Sequence, residues 1–355
     1  MNNTQILKYS LSFHYFQKIK KMQMWILLGV VTISLLIAFC SLFAGAYDLS
    51  LSDVLVKDSV SFEILFNLRL PRMLMGFFVG AGLAIVGATL QVLFANPLAD
   101  SGLIGISAGS MAMVVAFTVL GSQFPILQEV LYYFKDYAFS FLAFLGGLIL
   151  VATVYKLSLI DGKVDIQIML LAGIAMNAFA GAFAGLMIYM ATDTELRNIT
   201  FWTMGSLNGV TWKSFIPVGL VISVGSYFLL RLKNDIYTFM AGEKQAICMG
   251  LDIDQLKKKV LILCALIAGV SVAETGMIGF VGLVVPHIIR AVFKNYGKLT
   301  FILSFFIGGS FLILADVFSR TIVLPAELPI GTTTSLIGAP YFVFLLYQIK
   351  RGKYA

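Results

Sequence analysis

Charge is what this sequence has least of. Asp, Glu, Lys and Arg make up 12% of its 355 residues, where an ordinary soluble domain carries about a quarter. With 59% of residues hydrophobic, no single water-bounded core can hide the apolar surface, and the bilayer is the expected solvent. Histidine and cysteine are nearly missing too: two His, His14 and His287, and three Cys, Cys40, Cys248 and Cys264, with no paired spacing. No metal-ligand cluster can be assembled from such a set, and the cysteines read as small apolar fillers. There is no G-x-x-x-x-G-K-[ST] loop, which excludes nucleotide binding by that means.

What the sequence has instead is long charge-free stretches: 24–47, 73–99, 103–128, 137–155, 166–192, 214–230, 260–273, 275–289, 299–315 and 328–349. Most reach the roughly 20 helical residues needed to cross a hydrocarbon core; 260–273 and 275–289 read as short spans that must be broken, tilted or shielded. The first stretch, preceded by Lys18, Lys20 and Lys21 and followed by Ala44-Gly45-Ala46, resembles a signal peptide. Its apolar run from Trp25 to Phe43 is longer than such a region, so a retained first span is expected. With the N-terminus inside and ten crossings, 18 of the 25 basic and 7 of the 18 acidic residues fall on the cytoplasmic side. That asymmetry obeys the positive-inside rule and places both termini in the cytoplasm. The net charge of +7 is thus spread between spans rather than gathered into a nucleic-acid-binding face.

Span interiors are empty of Asp, Glu, Lys, Arg and His, whereas a membrane enzyme or proton-coupled carrier keeps ionisable groups there. The exceptions lie at ends: Glu274 between two short spans, Asp316 and Arg320 one helical turn apart, and His287 beside Pro286. Energy for transport must therefore come from a substrate gradient or a separate subunit. The longest internal polar interruption, Arg231 to Lys259, is where a motor subunit would attach; its Gly242-Glu243-Lys244-Gln245-Ala246 and Gly250-Leu251-Asp252 have room for one short helix or two. Small residues four apart, Gly76, Gly80, Ala84, Ala88 and again Gly173, Asn177, Gly181, Gly185, let helices approach closely in lipid.

Four stretches carry a resemblance: Arg69-Leu70-Pro71-Arg72 before a glycine-rich span; Asn96-Pro97-Leu98-Ala99-Asp100 followed by Leu103-Ile104-Gly105-Ile106-Ser107-Ala108-Gly109; Gly279-Phe280-Val281-Gly282-Leu283-Val284-Val285-Pro286-His287-Ile288-Ile289-Arg290; and Pro325-Ala326-Glu327-Leu328-Pro329-Ile330-Gly331 running to Ile337-Gly338-Ala339-Pro340. Together, over about residues 25–350, they resemble the FecCD family of ABC importer permeases. The resemblance implies an all-α polytopic membrane protein with about ten transmembrane helices in a type II importer bundle, and no enzyme activity or cofactor of its own. It further implies residues 1–23 as a cytoplasmic N-terminal segment, 24–350 as one transmembrane permease domain with a coupling loop at 231–259, and 351–355 as a cytoplasmic tail.

By resemblance, Arg69, Arg72 and Arg320 dock carboxylates of a periplasmic or surface substrate-binding protein, as guanidinium suits bidentate pairing. Asn96 and Leu98 form a cytoplasmic gate, with Ile166 and Gln167 at a second constriction. Glu243, Ala246, Gly250 and Leu251 contact an ATPase, of which two copies serve a pair of permeases, identical or paralogous. Met176, Met187, Met190 and Met204 read as core packing rather than cavity lining. The cargo implied is an iron chelate, a ferric siderophore or haem, with cobalamin next, crossing a bacterial inner membrane by alternating access. The alternative is a gradient-driven carrier or channel acting without an ATPase.

Overall fold

The computed structural model describes residues 3–45, 47, 49, 59–121, 138–293 and 297–350. The expected tail 351–355 and the 122–128 end of the third stretch lie outside these residues. Each of the ten charge-poor stretches overlaps a helix of 13 residues or more. In chain order the elements are α1 (Asn3–Phe43), α2 (Val60–Leu93), α3 (Ile106–Gly121), α4 (Ala138–Leu157), a two-stranded antiparallel hairpin β1 (Leu159–Ile160) and β2 (Lys163–Val164), α5 (Ile166–Tyr189), α6 (Asp193–Met204), α7 (Trp212–Arg231), α8 (Lys233–Phe239), α9 (Glu243–Cys248), α10 (Ile253–Thr275), α11 (Val281–Phe293), α12 (Leu299–Thr321) and α13 (Ile330–Lys350). Among the described residues, six helical segments are long and apolar enough to cross a membrane: Lys21–Phe43 of α1, then α2, α4, α5, α7 and α12.

Two boundaries depart from the sequence reading. The stretch 260–273 is not a short span, because α10 begins seven residues earlier and runs 23 residues; Lys257 is absorbed into the packed interior, 4% exposed, instead of ending the helix. By contrast α11 is short, 13 residues. Helix α2 begins at Val60, ahead of Arg69-Leu70-Pro71-Arg72, and widens into a π-helical turn over Ile64–Arg69 where the Leu70 N–H reaches the Leu65 carbonyl. Pro71 follows immediately and has no N–H to contribute.

Helix α2 is the axis of the bundle, packing against α12, α7, α11 and α10. Its small face works as expected. A Cβ on Gly80 would fall 2.4 Å from the Gly308 carbonyl oxygen of α12, and one on Gly308 would fall 2.3 Å from Ala84 Cβ. The α3–α4 crossing repeats the device: a Cβ on Gly109 or on Gly146 would fall 2.4 Å from the other's carbonyl oxygen. The second small face packs only in its first half: Gly173 sits under the Leu103 carbonyl and Asn177 donates to the Gly102 carbonyl at 2.9 Å, whereas Gly181 and Gly185 meet open space. Of the methionines, Met187 is buried and Met176 packs on the core, but Met190 and Met204 are exposed. Cys264 is the buried filler expected; Cys40 and Cys248 are exposed.

The α-helical part of α2, Leu70–Leu93, spans 24 residues, so at about 1.5 Å per residue its ends lie some ~36 Å apart. The polar groups singled out in the sequence gather at these two ends.

Candidate functional site

At the first end, Arg69, Arg72 and Arg320 come together with Asp316 and Glu327. Arg72, on the first turn after Pro71, forks between two acids: Nε and Nη2 donate to Asp316 Oδ1 at 3.0 and 2.8 Å, and Nη1 and Nη2 donate to Glu327 Oε1 and Oε2 at 3.1 and 3.0 Å. Asp316 is brought within reach by the close α2–α12 crossing. Glu327 is held by the return of its loop onto α12, where the Leu328 N–H donates to the Ser319 carbonyl at 3.0 Å. Arg320 lies one turn beyond Asp316, its Nε 3.4 Å from Asp316 Oδ2, and its Nη2 donates to the Ser41 carbonyl at 2.7 Å. Arg69 donates from Nη1 to the Leu42 carbonyl at 2.8 Å and from Nη2 to that of Tyr47.

This arrangement narrows the expected arginine rim. Arg69 and Arg320 are buried and spend their donors on carbonyls at the C-terminal end of α1, where orphan helix carbonyls need partners. Arg72 keeps some exposed guanidinium, with side-chain exposure of 13%, against 35% for Glu327 and 5% for Asp316. Glu327 belongs to a quoted motif but was not read as part of the site; its partner lies 255 residues away, and no local spacing announces that.

At the other end a cleft of about 810 Å³ opens among the α2–α3 turn, the head of α5, α9 and α11. Asn96, Ile166 and Gln167 all line it, as do Gly242 and Glu243, whereas Leu98 does not, so one of the two residues of the first expected gate, both of the second and the start of the expected coupling segment share one space. The turn that carries Asn96 ends α2 in a Schellman pattern: Ala95 occupies the left-handed region at φ 46°, its N–H reaches the Val92 carbonyl, and the Asn96 N–H reaches that of Gln91. Asn96 Oδ1 then accepts the Leu98 N–H at 2.9 Å, which fixes Pro97 and leaves Leu98 exposed. Next along, burial pushes the Asp100 carboxyl pKa up, opposed by hydrogen bonds from the Gly102 and Leu103 amides.

Ile166 and Gln167 are placed by the hairpin before α5. Asp161 and Gly162 take φ of 49° and 78°, the two-residue turn that an Asp-Gly pair favours. Asp165 then caps α5, accepting from the Gln167 and Ile168 N–H at 2.9 Å each. Two residues missed by the sequence reading complete the cleft. Gln91, the lone amide in an apolar run, accepts from Arg290 and donates through Nε2 to the Gly282 carbonyl at 3.1 Å.

The expected coupling segment holds one helix between its glycines, α9, and α8 precedes it. Gly242 and Gly250 take φ of 104° and 83°, which side-chain-bearing residues rarely adopt. Glu243 and Gly250 are exposed. Ala246 is not: it is fully enclosed against the bundle, 0% exposed, which removes it from any contact with another protein. The exposed apolar side chains beside it are Ile247 and Met249, with Leu251 packed on the core.

Comparison with known proteins adds three findings. The sequence profile of the FecCD transport family matches residues 32–348. The hemin transport system permease protein HmuU of Yersinia pestis is 36% identical over 94% of this chain and 98% of its own length; the vitamin B12 import system permease protein BtuC of Vibrio vulnificus is 34% identical over 92% and 96%. A solved inward-facing ABC transporter assigned to the metal-chelate type superposes with a TM-score of 0.80 at 29% identity, over 91% of this chain and 99% of that one.

Proposed function

Because the chain belongs to the FecCD transport family, we propose that it is the permease subunit of an ATP-driven importer of an iron chelate, a ferric siderophore or haem, with cobalamin the next choice. The chain crosses the bacterial cytoplasmic membrane ten times with both termini inside, residues 24–350 forming one transmembrane domain. It pairs with a second permease, identical or paralogous. Two ATPase subunits drive it, and a periplasmic or surface binding protein feeds it. The permease itself holds no cofactor and catalyses no reaction.

The observation that carries this reading is the shared cleft: Asn96, Ile166, Gln167 and Glu243 come from separate parts of the chain and line one space. An ATPase seated on α9, against Glu243, Gly250 and the exposed Ile247 and Met249, would act directly beside both gates. At the far end, docking falls on Arg72, with Arg69 and Arg320 holding the end of α1 beneath it. A carboxylate of the binding protein would take the place of Glu327, the more exposed of the two acids on Arg72, while Asp316 stays.

The test is affinity purification of the chain from its native host in mild detergent, with mass spectrometry of what accompanies it. An ATPase and a binding protein are expected, and the ligand held by that binding protein identifies the cargo. A chain that comes alone and moves substrate in liposomes without ATP contradicts the proposal and favours a gradient-driven carrier.

A further inference from the structure

Lys257 is 4% exposed, deep for a cation, and it touches three elements at once. It stands in the second turn of α10. Its Nζ lies 2.7 Å from Glu243 Oε1, at the head of α9, and donates to the Val164 carbonyl of β2 at 3.1 Å. Val164 is followed directly by Asp165, the cap of α5, and then by Ile166 and Gln167. From the half-exposed Glu243 carboxylate to the gate residues there is thus an unbroken run of polar contacts and backbone.

A six-residue helix such as α9 has almost no stability of its own, so what fixes it to the bundle sets how its movement is passed on. Two things do: the enclosed Ala246 methyl and the Glu243–Lys257 pair. Apolar packing at Ala246 lets α9 slide, but the Glu243–Lys257 pair resists separation, since Lys257 is itself buried and parting the two leaves its ammonium with the Val164 carbonyl alone. The same ammonium holds the Val164 carbonyl, so a shift of Glu243 pulls on the peptide that starts α5.

We infer that Lys257 is a positioning residue, a strut that converts displacement of α9 into displacement of the Ile166–Gln167 gate. The inference rests on the reading of α9 as the ATPase seat. Contiguity alone does not establish coupling, so the test reads movement at the gate. In the complex purified from the native host, with Cys40 and Cys248 replaced by serine, Gln167→Cys is labelled by a membrane-impermeant maleimide with and without ATP and vanadate. The labelling rate is expected to differ about tenfold between the two states, and in Lys257→Met to differ by less than about twofold, with the ATPase still bound and hydrolysing ATP. Lys257→Arg, which keeps the cation, is expected to restore the difference, which a loss of folding would not allow. Full nucleotide response in Lys257→Met overturns the strut. So does loss of the ATPase from that variant alone, which would make Lys257 an assembly residue. A wild-type chain that recovers no ATPase overturns the seat reading itself, a separate result.

Discussion

Arg72 is a guanidinium whose five donors are already largely committed, and that decides how it can serve a partner. With Asp316 5% exposed beside it, Arg72→Ala would strand a buried carboxylate with only Arg320 for company, costing about 3–5 kcal/mol. A docking defect in that variant would therefore be confounded with instability. Glu327→Gln is the cleaner change, because it weakens one arm of the fork and leaves Asp316 in place. Docking of the purified binding protein, measured by surface plasmon resonance, is expected to tighten by about two- to fivefold, the scale of a partly exposed ion pair, with the thermal midpoint little changed. Unaltered or weaker docking would remove Arg72 from the docking surface. The role of the arginines was legible through the family resemblance, with which their place at the ends of long apolar runs agrees. Their burial was not, since the groups that satisfy them, Ser41, Leu42, Asp316 and Glu327, are brought in by packing of α1 and α12 and not by spacing.

At the scale of the elements, the helices were legible because each is a long apolar run in a chain with little charge to interrupt it. The errors came where a local signal was outweighed by tertiary contacts. The stretch 260–273 was bounded at Lys259, but α10 runs on through Lys257, which Glu243 and the Val164 carbonyl satisfy inside the fold. Helix α6 was not anticipated, although Thr192 and Glu195 form a capping box whose spacing was available in the sequence. The Asp161-Gly162 turn was another signal left unused. The glycine crossings yield a direct prediction: Gly308→Leu must push α12 off α2 or distort both, since even a Cβ there lies 2.3 Å from Ala84. Overpacking of this kind costs about 1–3 kcal/mol, and the detergent-solubilised chain should lose thermal stability accordingly, while Gly181→Leu, at an open position, should not. For α9, replacing Glu243 to Gly250 with a flexible Gly/Ser loop is expected to abolish co-purification of the ATPase while the bundle still folds; retained co-purification would remove α9 from the coupling role.

For the molecule as a whole, the two ends carry different chemistry and the middle carries almost none. One end is an ion-paired rim that closes α1, α2 and α12 together; the other is a polar cleft lined by Asn96, Ile166, Gln167 and the head of α9. Between them, α5 leaves Leu171, Ile174, Phe179, Leu186 and Tyr189 exposed, a face suited to lipid or to the second permease. The central claim is that nucleotide at the cleft end drives movement of cargo bound at the rim end. The most direct measurement is uptake into liposomes containing the native-host complex, with ATP on the side of the ATPase and the binding protein loaded with its own ligand on the other. Accumulation that requires hydrolysable ATP and stops when the Glu243 to Gly250 segment is replaced is the predicted result; equal uptake without ATP, or by the chain alone, would contradict it.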